Sequence, residues 1–170
     1  DFVFNTPNTQ SKPGYLKMGW KEVDKIKLSL KPASPLNYFI EVIDPKYYID
    51  ANCSEDKLDT LLAKYSDELE KKSKTFTPKN RTYLKWRYEE SKLQKYQVYY
   101  DEDLYLAAYL KSRGKITELR VSDCIFISEK GKKLAKKLLN KWNESFKANF
   151  ISYNLSSNNL YIYKLKGNYG

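Results

Sequence analysis

The sequence predicts an α+β domain, a mainly antiparallel sheet carrying two amphipathic helices in the order ββα-ββββ-α-ββ. Three observations lead there. Apolar residues alternate with polar ones in several stretches, as in Ile26, Leu28 and Leu30, which is the period of a half-buried strand. Two other stretches, 53–74 and 129–148, repeat their apolar residues at helical spacing. The chain of 170 residues is 41% apolar and 15% aromatic, enough for one hydrophobic core despite its charge.

Each element has a local reason. Residues 1–14 hold two prolines, a glycine and small polar side chains, and read as an extended lead-in to a single domain over 15–170. Lys25 to Lys31 alternates strictly, and Pro32 and Pro35 end it. Asn37 to Ile43 reads as a second strand, closed by Asp44-Pro45. The first helix spans 53–74, with Asn52 and Glu55 as a capping box and a stripe of Leu58, Leu61, Leu62, Tyr65 and Leu69. After Thr77-Pro78-Lys79-Asn80 comes a strand-like middle. Leu84, Trp86 and Tyr88 alternate with Lys85 and Arg87, and Tyr96, Val98 and Tyr100 with Gln97 and Tyr99. Leu104–Leu110 and Ile116–Ile127 flank the turn Arg113-Gly114-Lys115 as a hairpin. Ser128 caps the second helix, whose apolar face is Leu134, Ala135, Leu138, Leu139, Trp142 and Phe146. Phe150–Leu155 and Leu160–Leu165 form the last two strands around Ser156-Ser157-Asn158-Asn159. The order divides into two ββαββ halves, near 15–101 and 103–166. The simpler expectation is one sheet with both helices on one face.

The chemistry-bearing residues exclude more than they propose. There is no histidine, so Ser-His and Cys-His nucleophiles and His-based zinc sites are impossible. Neither GxxxxGK[ST] nor GxGxxG occurs, and nothing implies a cofactor or a metal. Carboxylates remain: Asp101, Glu102 and Asp103 end one predicted strand, and Glu89 and Glu90 lie near another. Paired carboxylates serve hydrolases and metal nucleases, so a carboxylate-dependent hydrolase or metal nuclease is one alternative. Acidic turns are more commonly solvated loops. The Glu-x-Lys triplets at Glu55, Glu70 and Glu90 are near the number that composition alone yields. No catalytic residue is assigned, and the balance favours a protein that is not an enzyme.

Two surfaces are candidates for binding. The formal net charge is +10, part of it from a lysine bias that AT-rich coding produces. It is concentrated on the second helix, where Lys132, Lys133, Lys136, Lys137 and Lys141 lie opposite the apolar stripe with Lys130 and Lys147. Such a face attracts nucleic acid or another polyanion, or else it is a solvated helix surface. The second candidate is a tyrosine row. Of 16 tyrosines, Tyr83, Tyr99, Tyr105 and Tyr109 fall on the outward side of their predicted strands, a composition that suits a protein interface. Strand aromatics also pack cores.

Cys53 and Cys124 form an even pair. As a disulfide they would close a loop of about 70 residues, worth on the order of 4 kcal/mol; as free thiols they would be ordinary core residues. A start at Asp1 fits a removed leader or a trimmed sequence, and four Asn-x-Ser/Thr sequons, at Asn52, Asn80, Asn143 and Asn154, matter only on a eukaryotic secretory route. No stretch nears the ~20 apolar residues of a membrane helix. Together these features lead to one expectation: a non-enzymatic protein-binding module, an inhibitor or immunity-type protein exported to the periplasm or beyond. A polyanion binder is the alternative.

Overall fold

The computed structural model describes residues 5–22, 28–32, 37, 45–72 and 76–154. The chain is α+β. Its strands are β1 (Leu28–Pro32), β2 (Ile49–Ala51), β3 (Gln97–Tyr100), β4 (Leu104–Arg113), β5 (Ile116–Phe126) and β6 (Phe150–Asn154). The helices are α1 (Lys12–Lys17), α2 (Glu55–Lys72), α3 (Arg81–Leu84) and α4 (Glu129–Phe146), α3 widening into a π-helical turn over Lys85–Glu89. The strands form one mixed sheet in the order β1-β6-β5-β4-β3-β2. Its centre, β3-β4-β5, is an antiparallel meander, and β1 lies antiparallel to β6. The pairs β2-β3 and β5-β6 are parallel, because a helix separates each pair in the chain.

The two long helices lie on opposite faces of the sheet, not on one face as expected. The alternation of β4 requires this. Leu104, Leu106, Ala108 and Leu110 pack with Ala135, Leu139 and Trp142 of α4. Tyr105 and Ala107, between them, pack with Leu58, Leu61, Leu62 and Tyr65 of α2. Both faces of β4 are therefore buried, which explains a run with little polar interruption. A bulge opposite Ala107 and Ala108 adjusts β5. Leu119 and Val121 face α4 before it, Cys124 and Phe126 after it, and Ser122 is the extra residue that moves the apolar parity by one.

Several local expectations need correction. The segment 84–88 is helical. Asn80 caps it by accepting a hydrogen bond from the Tyr83 N–H at 2.8 Å, and the buried Leu84 and Tyr88 are one helical turn apart. The lead-in contains α1, with a proline in its first turn and Asn8 Oδ1 accepting from the Ser11 N–H at 2.8 Å. Asn52 does not cap α2: its N–H donates to Tyr100 O at 2.8 Å, extending the ladder, and its side chain bonds Asp50. Ser128 caps α4 as expected, accepting from the Gly131 N–H at 3.1 Å. The strand expected over Asn37–Ile43, apart from Asn37, and the one over Leu160–Leu165 lie outside the described residues. Among the described residues no helix is long and apolar enough to cross a membrane.

Candidate functional site

The face of the sheet under α2 and α3 gathers the polar and aromatic groups. Arg81, in the first turn of α3, reaches along its own helix to Glu89 and donates through both Nη atoms, the second at 2.8 Å. The Tyr105 hydroxyl donates to the same carboxylate at 3.3 Å. The Arg81 guanidinium lies over the Tyr100 ring, 5.2 Å from its centroid, and Tyr100 stacks on Tyr105 at 6.0 Å. Beside this, Asp123 of β5 accepts from Lys79 at 2.7 Å and from the Tyr88 hydroxyl at 3.1 Å. Tyr96 stands edge-on to both Tyr88 and Tyr109.

The electrostatics follow from this packing. The hydrogen bond to Glu89 holds Arg81 more firmly protonated than usual, against the effect of burial. Burial pushes the phenols of Tyr88 and Tyr105 far up, with Asp123 and Glu89 respectively adding to it. Tyr65 on α2 is pushed up to about 12 by burial and by the charge of Asp123. The neutral phenols of Tyr88 and Tyr105 donate to carboxylates whose counter-ions are Lys79 and Arg81. The network joins α3 to the sheet through charge-assisted bonds, with Arg81 Nε buried and without a hydrogen-bond partner among the described residues.

The tyrosine row does not form an exposed surface. Tyr105 is wholly buried, and Tyr83, Tyr99 and Tyr109 are half-buried. Tyr99 donates to Asp101 at 2.8 Å, and Tyr109 packs on Tyr96. For Tyr99, Tyr105 and Tyr109 the expected outward face is an inward one because the sheet carries a helical layer on both sides, while Tyr83 lies in α3 and not on a strand.

The acidic cluster is engaged in a turn and in ion pairs. Asp101 Oδ1 accepts from the N–H groups of Asp103 and Leu104, both at 2.8 Å, which shapes the β3-β4 turn. Glu102 pairs with Lys57 and Asp103 with Lys130. Among the described residues no three metal-ligating side chains group together. Cys53 and Cys124 are both free, correcting the expected disulfide. They belong to the cores on opposite faces of the sheet, so a bond between them would have to pass through it.

Of the helix lysines, Lys133, Lys137 and Lys141 are exposed, while Lys132 and Lys136 are half-buried. Lys132 pairs with Glu129 at 2.8 Å.

The structure adds a surface that alternation concealed. Trp86, on the π-helical turn, is 64% exposed, with the Tyr83 ring 6.0 Å away and the Lys79 ammonium over Tyr83 at 5.0 Å. Leu93, in the loop that follows, is fully exposed. Arg87, Lys92 and Lys95 are exposed there too and form no ion pair among the described residues. The signal in the sequence was Asn80 before Leu84 and Tyr88, a cap followed by apolar residues four apart. Compared with known proteins, the chain matches no family model, no curated protein and no solved structure.

Proposed function

We propose that this chain is a binding module that docks an acidic protein surface on the ridge of α3 and its π-helical turn, with Trp86 as the anchor. The observation that carries the reading is an indole 64% exposed on a segment whose backbone is tied down by buried ion pairs. A large exposed aromatic is worth most at an interface when its support is already ordered, since little freedom is then lost on binding. Tyr83 and Arg87 complete the set of side chains that most often dominate binding energies. The excess positive charge of Arg87, Lys92 and Lys95 supplies complementarity to an acidic partner and speeds encounter.

An inhibitor-type or immunity-type protein acts in this way, by covering a partner's surface. The cysteines give no support to export, since neither is paired. The test is affinity capture with the purified chain from its native source, followed by titration of the captured protein in purified form. Trp86→Ala should weaken binding by about 30-fold, the effect of a side chain contributing about 2 kcal/mol. Arg87→Glu should slow association, with the slowing removed by salt. Neither variant should alter the melting temperature. A partner bound equally well by both variants would refute the reading.

A further inference from the structure

The outward face of α4 is separate from the ridge, on the other side of the sheet, and it has its own chemistry. Lys133, Lys137 and Lys141 recur every four residues, so they form one row along about 12 Å of helix axis. All three are exposed and form no ion pair among the described residues. The one acid within the arc they cover, Glu144, leaves the row net positive. Lys130 and Lys132 flank it, each engaged with an acid of its own, Asp103 and Glu129.

The fold adds a cation that the helix alone lacks. Lys31 comes from β1, distant in sequence, and donates to Asn140 on α4 at 2.9 Å. Partial burial lowers its pKa, and the charge of Lys136 adds to that. Among the described residues the face lacks what single-stranded binders use: the aromatics of α4, Trp142 and Phe146, pack with the core and do not offer a stacking surface for bases. Lysines act as point charges toward phosphate and make few of the planar contacts that read bases.

We propose that this face binds the phosphate backbone of duplex nucleic acid without reading its sequence, through Lys133, Lys137 and Lys141 with Lys31 and Lys136 alongside. Over the 12 Å of the row a duplex presents about seven phosphate charges, so each lysine has a phosphate within reach.

The test is fluorescence anisotropy with labelled DNA duplexes of two unrelated sequences, titrated at salt concentrations between about 50 and 200 mM. Binding should be equal for the two sequences and should weaken at least 40-fold over that range, since three released counterions give a log–log slope of about −2.7. The variant Lys133→Gln/Lys137→Gln/Lys141→Gln should flatten the slope by about that amount. Lys64→Gln, exposed on α2 across the sheet, should leave it unchanged. Circular dichroism of each variant checks that α4 remains folded. The proposal is overturned by no binding at the lowest salt, by an unchanged slope in the triple variant, by preference for single strands, or by binding to phosphatidylserine vesicles in place of duplex.

Discussion

Gly131 sits in the first turn of α4, and replacing it with alanine should destabilise the protein although alanine is the better helix former. A Cβ built at this position would lie 2.3 Å from the Asp103 carbonyl oxygen and 2.9 Å from Phe126 Cβ. The first of these atoms is backbone in the β3-β4 turn, fixed because Asp101 binds the N–H groups of Asp103 and Leu104. An ordinary contact would require the helix and the turn to separate by about 1 Å. Insertion of a methyl group into such packing costs about 1–3 kcal/mol and sometimes more. The intrinsic preference for Ala over Gly returns about 0.5–1 kcal/mol, leaving a net loss of about 1–2 kcal/mol. For a domain of this size that lowers the melting temperature by about 2–8 °C. Urea unfolding followed by circular dichroism, beside a thermal melt, measures both. Gly14→Ala serves as control: it is also helical, nothing lies within 4 Å of its added Cβ, and it should stabilise by about 0.5–1 kcal/mol, the helix preference alone. Stabilisation by Gly131→Ala would refute the close approach of α4 to the sheet.

Other expectations follow from the polar network and the thiols. Glu89→Ala leaves the Arg81 charge, whose side chain is only 14% exposed against 6% for Glu89, with the solvent-exposed Glu55 at 3.9 Å as its remaining acid among the described residues, and should cost about 3 kcal/mol, read by urea unfolding. Tyr65 ionises at about 12 in the folded chain against 10.0 ordinarily, so the native state retains protons that the unfolded state has lost. Stability should therefore be intact below pH 10 and fall as pH rises toward 12, and absorbance at the phenolate band should show Tyr65, Tyr88, Tyr99 and Tyr105 ionising last. A thiol assay on the unfolded, unreduced chain should find two thiols; on the native chain Cys124 should not react, being buried with its pKa pushed well up by that burial. Finding no thiols would contradict the two-faced core.

The parts of the fold legible in sequence are those where one face is buried and the other wet. The α2 and α4 stripes, the Ser128 cap and the turn at Gly114 follow from spacing and from residues with one role each. Gly114, for example, has a φ of +61° that a side chain would strain. The tyrosines misled because alternation assigns residues to two faces without saying what covers each. With α2 and α3 on one side and α4 on the other, Tyr105 is as deeply buried as Leu104. Leu84, Trp86 and Tyr88 fit a strand by alternation, yet Leu84 and Tyr88 alone also fit a helix, and Asn80 decides between them. The strand β2 is three exposed residues at a sheet edge, too short to carry a pattern. The lysine row was visible from helical spacing, but Lys31 beside it was not, since only the pairing of β1 with β6 brings it there.

The most direct test of the docking surface is amide hydrogen exchange of the chain alone and saturated with its captured protein partner. Slowed exchange is expected only over residues 79–95, around Trp86, with α4 unchanged. Protection elsewhere, with 79–95 exchanging as in the free chain, would contradict it.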